Sequence, residues 1–297
     1  METIILPNHF YHKGLNPRRS TKYLQKIIYL LSLIFICQSL KAAPDTLLNL
    51  QPVNTIKGNF SNFFVDNFGN IFLLTSSNQI KKLNNNLDSV AIFNESKLYG
   101  DIYSIDVSNP LKVLVYYRDF NTILMLDRQL TTLNTIDIRQ QNLFQVKAIA
   151  QSYDNNIWVF DEVDNKLKKI DENGNLLLET PDFRLLFDSS YIPHTIIDMN
   201  GLLYLYSARG GWKIFDYYGG LKTQYPALNW RDVQVSDAFL EGHDSTYFYA
   251  ERPKDLQFFK TKPNLNLANT RKIIQMQNLY YFLTKDGINI YREVAKQ

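Results

Sequence analysis

Residues 60–84, FSNFFVDNFGNIFLLTSSNQIKKLN, hold three short apolar runs separated by clusters of Asn, Asp, Gly and Ser. Runs this short, bounded by turn formers, are strands rather than helices. A turn followed by an aromatic-rich strand then returns along the chain: NFGNIFLL at 67, NPLKVLVY at 109, DNNIWVF at 154, NGLLYLY at 200, HDSTYFY at 243 and QNLYYFL at 277. The spacings are 42, 45, 46, 43 and 34 residues. A period of about 40–45 with several strands per unit is that of propeller blades.

The first unit sets the grammar. Residues 62–66 form an inner strand, 71–75 a second, 79–83 a third and 89–93 a fourth, each separated by a turn. The second strands (113–117, 157–160, 202–206, 247–249 and 279–283) are apolar almost without interruption, as expected of strands buried on both faces. The third strands alternate, as in QIKKL at 79 and KLKKI at 166. The last unit has only three strands, 273–278, 279–284 and 288–292, while LNLQPVNTIK at 48–57 is one strand with no unit of its own. Pairing the two removes an exposed sheet edge. The predicted fold is an all-β, six-bladed β-propeller spanning 44–297, closed by an N-terminal strand in the last blade.

Residues 1–42 break this pattern. The apolar run IIYLLSLIFIC at 27–37 follows Arg18, Arg19, Lys22 and Lys26 and precedes Leu40-Lys41-Ala42, the layout of a secretory signal peptide with cleavage after Ala42. An uncleaved anchor fits the same residues, and Cys37 raises lipidation, although Ile36 is not the small residue a lipobox places before its cysteine. Cys37 is the only cysteine, so the cleaved domain has no disulfide, thiol nucleophile or cysteine metal site. The formal charge of +3 also resides in this segment, for residues 1–42 hold six Lys or Arg and one acid, leaving the remainder at −2. A near-neutral body has no electrostatic footprint for nucleic acid or an anionic membrane. The expectation is an exported monomer, periplasmic or extracellular, without a membrane span once the signal is removed.

VDNFGNIFLL at 65–74 and AIAQSYDNNIWVFDEVDNKLKKIDENGNLLLE at 148–179 resemble NHL-type repeats and the six-bladed, TolB-like propellers of secreted bacterial proteins. The resemblance covers residues 44–297 as architecture, and the Gly-Asn turn is replaced by Asn109-Pro110 in the second repeat and by Ser245-Thr246 in the fifth. It implies a Gram-negative-type envelope. Similar propellers with lactonase-like activity hold a metal in the central channel, for which Asp66, Asp106, Asp198, Asp237 and Glu241 are the inner-strand candidates and His194 a candidate base. Asp and Asn beside turns are also demanded by turn geometry, and the DENGN run at 171 is a hairpin turn rather than a calcium loop. His194 is expected to be partly buried and hydrogen-bonded, and His243 to be a solvated turn residue.

No Ser-centred elbow or phosphate-cradling Gly loop is present, and no cofactor or catalytic residue is assigned. What remains is the face carrying the second-to-third-strand loops and the blade-to-blade loops. Arg118, Asp119, Arg209, Trp212, Trp230, Arg231 and Arg252 fall there, of the residue types that dominate binding hot spots. The reading is a non-enzymatic propeller that binds a protein or glycan of the cell envelope through this face; the alternative is a channel-metal hydrolase or lyase using the inner-strand acids.

Overall fold

A computed structural model describes residues 46–141, 143–187, 190–226 and 228–294. The signal-like segment, with Cys37, lies outside them. Six sheets, antiparallel in their four blade strands, follow one another in chain order. Their inner strands are Phe60–Val65, Ser104–Asp106, Val146–Gln151, Thr195–Met199, Arg231–Val235 and Lys272–Met276, which open blades 1 to 6. Among the described residues, helix is confined to the short turns Ser96–Tyr99 and Phe183–Leu186 and one 3-10 turn, Ile138–Gln141.

The core lies between the blades rather than at the centre. Second strands such as Val113–Tyr117 and Ile157–Asp161 are buried along their whole length, because successive side chains serve different neighbours. Val113, Val115 and Tyr117 pack with Phe72, Leu74 and Ile80 of blade 1. Leu114 and Tyr116 pack with Ile149, Ile157 and Val159 of blade 3. Each of the other four interfaces has its own cluster, and the last joins Tyr281, Leu283, Ile288 and Ile290 of blade 6 to Phe63, Val65, Ile71 and Leu73 of blade 1. An apolar run without alternation is therefore two interleaved period-two patterns.

Turn chemistry repeats with the blades. Asp66, Asp127, Asp171 and Asp216 each accept from the backbone N–H groups two and four residues on, and Asn84 does the same. These carboxylates and amides shape the loop locally. The second-to-third-strand turns of blades 1 to 3 place Asn78, Asn121 and Asn165 at φ 63°, 49° and 54°, a left-handed conformation that Asn tolerates better than most side chains.

Leu50–Lys57 is the fourth strand of blade 6, antiparallel to Gly287–Glu293 with Ile56 opposite Ile288. The preceding Thr46–Leu48 runs parallel to Gln257–Pro263 as a fifth strand on blade 5. Between the two strands, Asn264 accepts from Leu50 N at 2.9 Å and donates to Asn49 Oδ1 and Leu50 O. The N-terminal segment thus straps blades 5 and 6 together. Blade 6 meets blade 1 through Arg271, which donates to Phe60 O at 2.7 Å, and Lys272, whose Nζ reaches Asn62 Oδ1 at 2.8 Å.

The fifth blade departs from expectation. Residues 247–249 lie at the start of its third strand, Phe248–Arg252, and its second strand is Leu240–His243. The inner turn therefore sits near Asp237, giving spacings of 37 and 40 in place of 43 and 34. The second strand is masked in sequence because it reads Leu-Glu-Gly-His rather than as an apolar run. Gly242 is required there, since a Cβ would lie 2.7 Å from that of Trp230.

Candidate functional site

With antiparallel blades, the blade-to-blade loops and second-to-third-strand loops share one face, called here the upper face. Arg118 and Asp119 are exposed on the second-to-third-strand turn of blade 2. Arg209 is exposed on the corresponding turn of blade 4, and Arg231 is the exposed first residue of the inner strand of blade 5. These four share the face and come from blades 2, 4 and 5.

Three other candidates are displaced. Arg252 ends the third strand of blade 5, so it lies on the lower face, bonded to Asp255 and Gln257 and packed over Phe239 and Phe259. This follows from the one-hairpin misplacement of that blade's second strand. Trp212 and Trp230 are buried between blades 4 and 5. Trp212 packs against Tyr206, and Trp230 stacks on Tyr249 with ring centroids 5.7 Å apart. Neither indole is available to a partner.

The upper face of blades 2 and 3 carries apolar side chains that turn positions do not advertise. Tyr103, Phe120, Phe144 and Val163 are 36, 48, 58 and 50 % exposed. The Arg118 guanidinium lies 4.3 Å from the Tyr103 ring centroid, within cation–π range. The loop beneath is pinned by Asn78, which donates to Gly100 O at 2.7 Å and accepts from Ile102 N at 3.0 Å. An apolar residue in a loop rather than a strand is the signal by which the sequence marks Tyr103, Phe144 and Val163.

The acids considered for a channel metal are held apart by other bonds. Asp66 serves its own turn. Asp106 accepts from Gln151 N in blade 3 at 2.6 Å, and Asp198 accepts from Ser152 Oγ, Trp158 Nε1 and the Tyr217 hydroxyl. Asp237 accepts from Asn200. Glu241 lines a cavity of about 250 Å³ between blades 5 and 6, where burial raises its pKa. Among the described residues, no group of three His, Cys, Asp or Glu is placed to hold a metal ion.

The histidines divide. His194 is exposed, its Nδ1 3.0 Å from Thr195 Oγ1 and its Nε2 accepting from Ala208 N at 3.3 Å. Desolvation of the ring and the Lys147 charge lower its pKa. His243, expected in solvent, is buried at the end of the second strand of blade 5, with Nε2 2.8 Å from Asp232 Oδ2 and Nδ1 2.8 Å from Asp244 O. Asp232 also accepts from Ile273 N in blade 6 at 2.7 Å. The pair is interblade mortar.

No protein-family model matches the sequence, and no curated protein matches it either. Solved structures do. A streptogramin B lyase is 16 % identical with TM-score 0.55, covering 78 % of each chain. Virginiamycin B lyase from Staphylococcus aureus is 12 % identical with TM-score 0.57, covering 83 % of this chain and all of that one, and a catalytically inactive histidine-to-alanine form of it is known with quinupristin. The Pan2 WD40 domain from Neurospora crassa is 12 % identical with TM-score 0.59, covering 84 % and 96 %. The likeness is of fold. A lyase and a WD40 domain match about equally well, so it decides nothing about activity.

Proposed function

We propose that this chain is an exported, non-enzymatic propeller of the cell envelope, of the NHL- or TolB-like kind, that holds a protein partner on its upper face over blades 2 and 3. The observation that carries the reading is that Tyr103, Phe120, Phe144 and Val163 are all exposed on this face of blades 2 and 3, with Arg118 stacked on Tyr103. Exposed aromatics grouped with an Arg are the composition of interface anchors. Asn78 fixes the loop that bears Tyr103, which lowers the ordering cost of association. Asp119 beside the patch, with Arg209 and Arg231 further round the face, supplies a polar rim. Export rests on the basic and apolar stretches before residue 43, and the domain works as a monomer.

The test is affinity capture with the domain as bait. Replacing Phe120 by Ala and Arg118 by Glu together weakens retention of the partner by about 2–4 kcal/mol, on the order of 30- to 1000-fold. Lys254→Glu, on the lower rim, leaves it unchanged. Equal recovery with all baits would sink the assignment.

A further inference from the structure

Beyond the upper face, we propose a second site, on the lower face, that binds a neutral oligosaccharide. The inner turns of blades 2, 3 and 4 surround an open cleft of about 760 Å³, the size of a small-ligand pocket. Its wall holds Tyr153 and Tyr217, stacked with ring centroids 4.6 Å apart and planes 9° from parallel. Tyr153 remains 68 % exposed and so offers a broad apolar surface to solvent. Tyr217 is held in place because its hydroxyl donates to Asp198, and burial together with that carboxylate raises its pKa, which keeps the donor protonated.

The polar lining sets the ligand class. Gln151 is 5 % exposed, and its amide donates to Asn156 O at 3.1 Å, which braces the inner turn of blade 3 behind Tyr153. The amides a ligand can reach are those of the neighbouring turns. Asn200 gives one amide proton to Asp237 and Asn109 gives one to Asn155 at 3.4 Å; each amide has further capacity to donate and accept. The oxygens of Asp198 are taken by the neutral donors Ser152, Trp158 and Tyr217, and the nearby Lys169 pairs with Asp154. An anionic ligand would meet no unspent cation there. An open aromatic ring beside amides that can both donate and accept suits a pyranose, whose C–H face stacks while its equatorial hydroxyls bond.

The site is independent of the upper-face reading, so each can fail alone. The test is an array of neutral and acidic oligosaccharides probed with the labelled domain, followed by titration of whichever neutral sugar is retained. Tyr153→Ala is expected to weaken binding by about tenfold, and Tyr153→Phe, which keeps the ring, by less than about twofold. Arg118→Glu leaves the sugar signal unchanged. Tyr153→Phe keeps the stack on Tyr217 and melts like the parent, whereas Tyr153→Ala loses it, so binding is compared well below the melting temperature of both. Retention of no sugar, retention of acidic sugars alone, or Tyr153→Ala binding as well as the parent would each overturn the proposal.

Discussion

Blade 3 and blade 5 use the same four-strand grammar and hold themselves together differently. In blade 3 the second strand is wholly buried, and Lys168 and Lys169 of the third strand are buried as well. Burial works against the Lys168 charge, but its bonds to Asp161 and Asp164 outweigh that cost and raise its pKa. In blade 5 the third strand is only half-buried throughout, and the inner and fourth strands are largely half-buried or exposed. Asp232, Gln234, Glu241 and His243 occupy its interface with blade 6, around the 250 Å³ cavity. Blade 5 is also the blade that receives a fifth strand from the N terminus. A blade that buries its apolar side chains on both faces stands on four strands; a polar blade needs a strap.

The sharpest way to break that comparison is to remove residues 46–57, which deletes both strap strands. The fourth strand of blade 6 and the fifth of blade 5 are lost together, with Leu48 and Leu50 from the cluster between those blades. The expected result is loss of cooperative unfolding, read as a featureless thermal melt by near-UV circular dichroism. A truncated protein that melts like its parent contradicts the strap. A smaller contrast comes from single rings. Trp158→Ala removes a fully buried indole and its bond to Asp198, for a loss of about 3–5 kcal/mol. Phe258→Ala in blade 5, where the ring is partly exposed, costs about 1 kcal/mol. Denaturant midpoints of the two variants measure the difference.

The smallest effect is a pH slope at the seam between blades 6 and 1. Burial pushes Lys272 down to about 8, with Asp232 acting the other way. Below pH about 8 the folded and unfolded chains both hold the proton. Between there and about 10.5 the folded chain has released it while the unfolded chain keeps it, so stability rises with pH across that window. Above about pH 10 the buried Tyr116 and Tyr117, whose pKa values burial raises, stay protonated when folded and pull stability down again. Urea midpoints measured from pH about 7.5 to 9.5 should rise in the parent relative to Lys272→Gln, which lacks this contribution.

The comparison also marks what sequence could reveal. Five of the six second strands were legible because burial between two blades demands apolar residues at every position, as in Val113–Tyr117. The surplus strand at 48–57 was legible from a count of strands, since the last unit lacked one. The fifth blade was not, because Leu240–His243 carries Glu241, His243 and a Gly242 dictated by Trp230, and that slip moved Arg252 to the wrong face. The binding candidates were less legible than the fold. Trp212 and Trp230 have the composition of hot spots, but position alone does not say whether an indole turns outward or into the layer between blades. The lower cleft was invisible for the same reason, since the Tyr153–Tyr217 stack joins turns of two different blades.

The most direct measurement of the functional claim is site-resolved photo-crosslinking in the cell of origin, with the crosslinking residue placed at Phe120, Phe144, Phe68 or Leu256. Phe120 and Phe144 lie on the upper face, Phe68 and Leu256 on the lower, and all four are exposed. The account predicts one discrete protein adduct from Phe120 and Phe144 and none from Phe68 and Leu256. Adducts of equal yield from both faces, or a protein adduct from the lower positions alone, would contradict it.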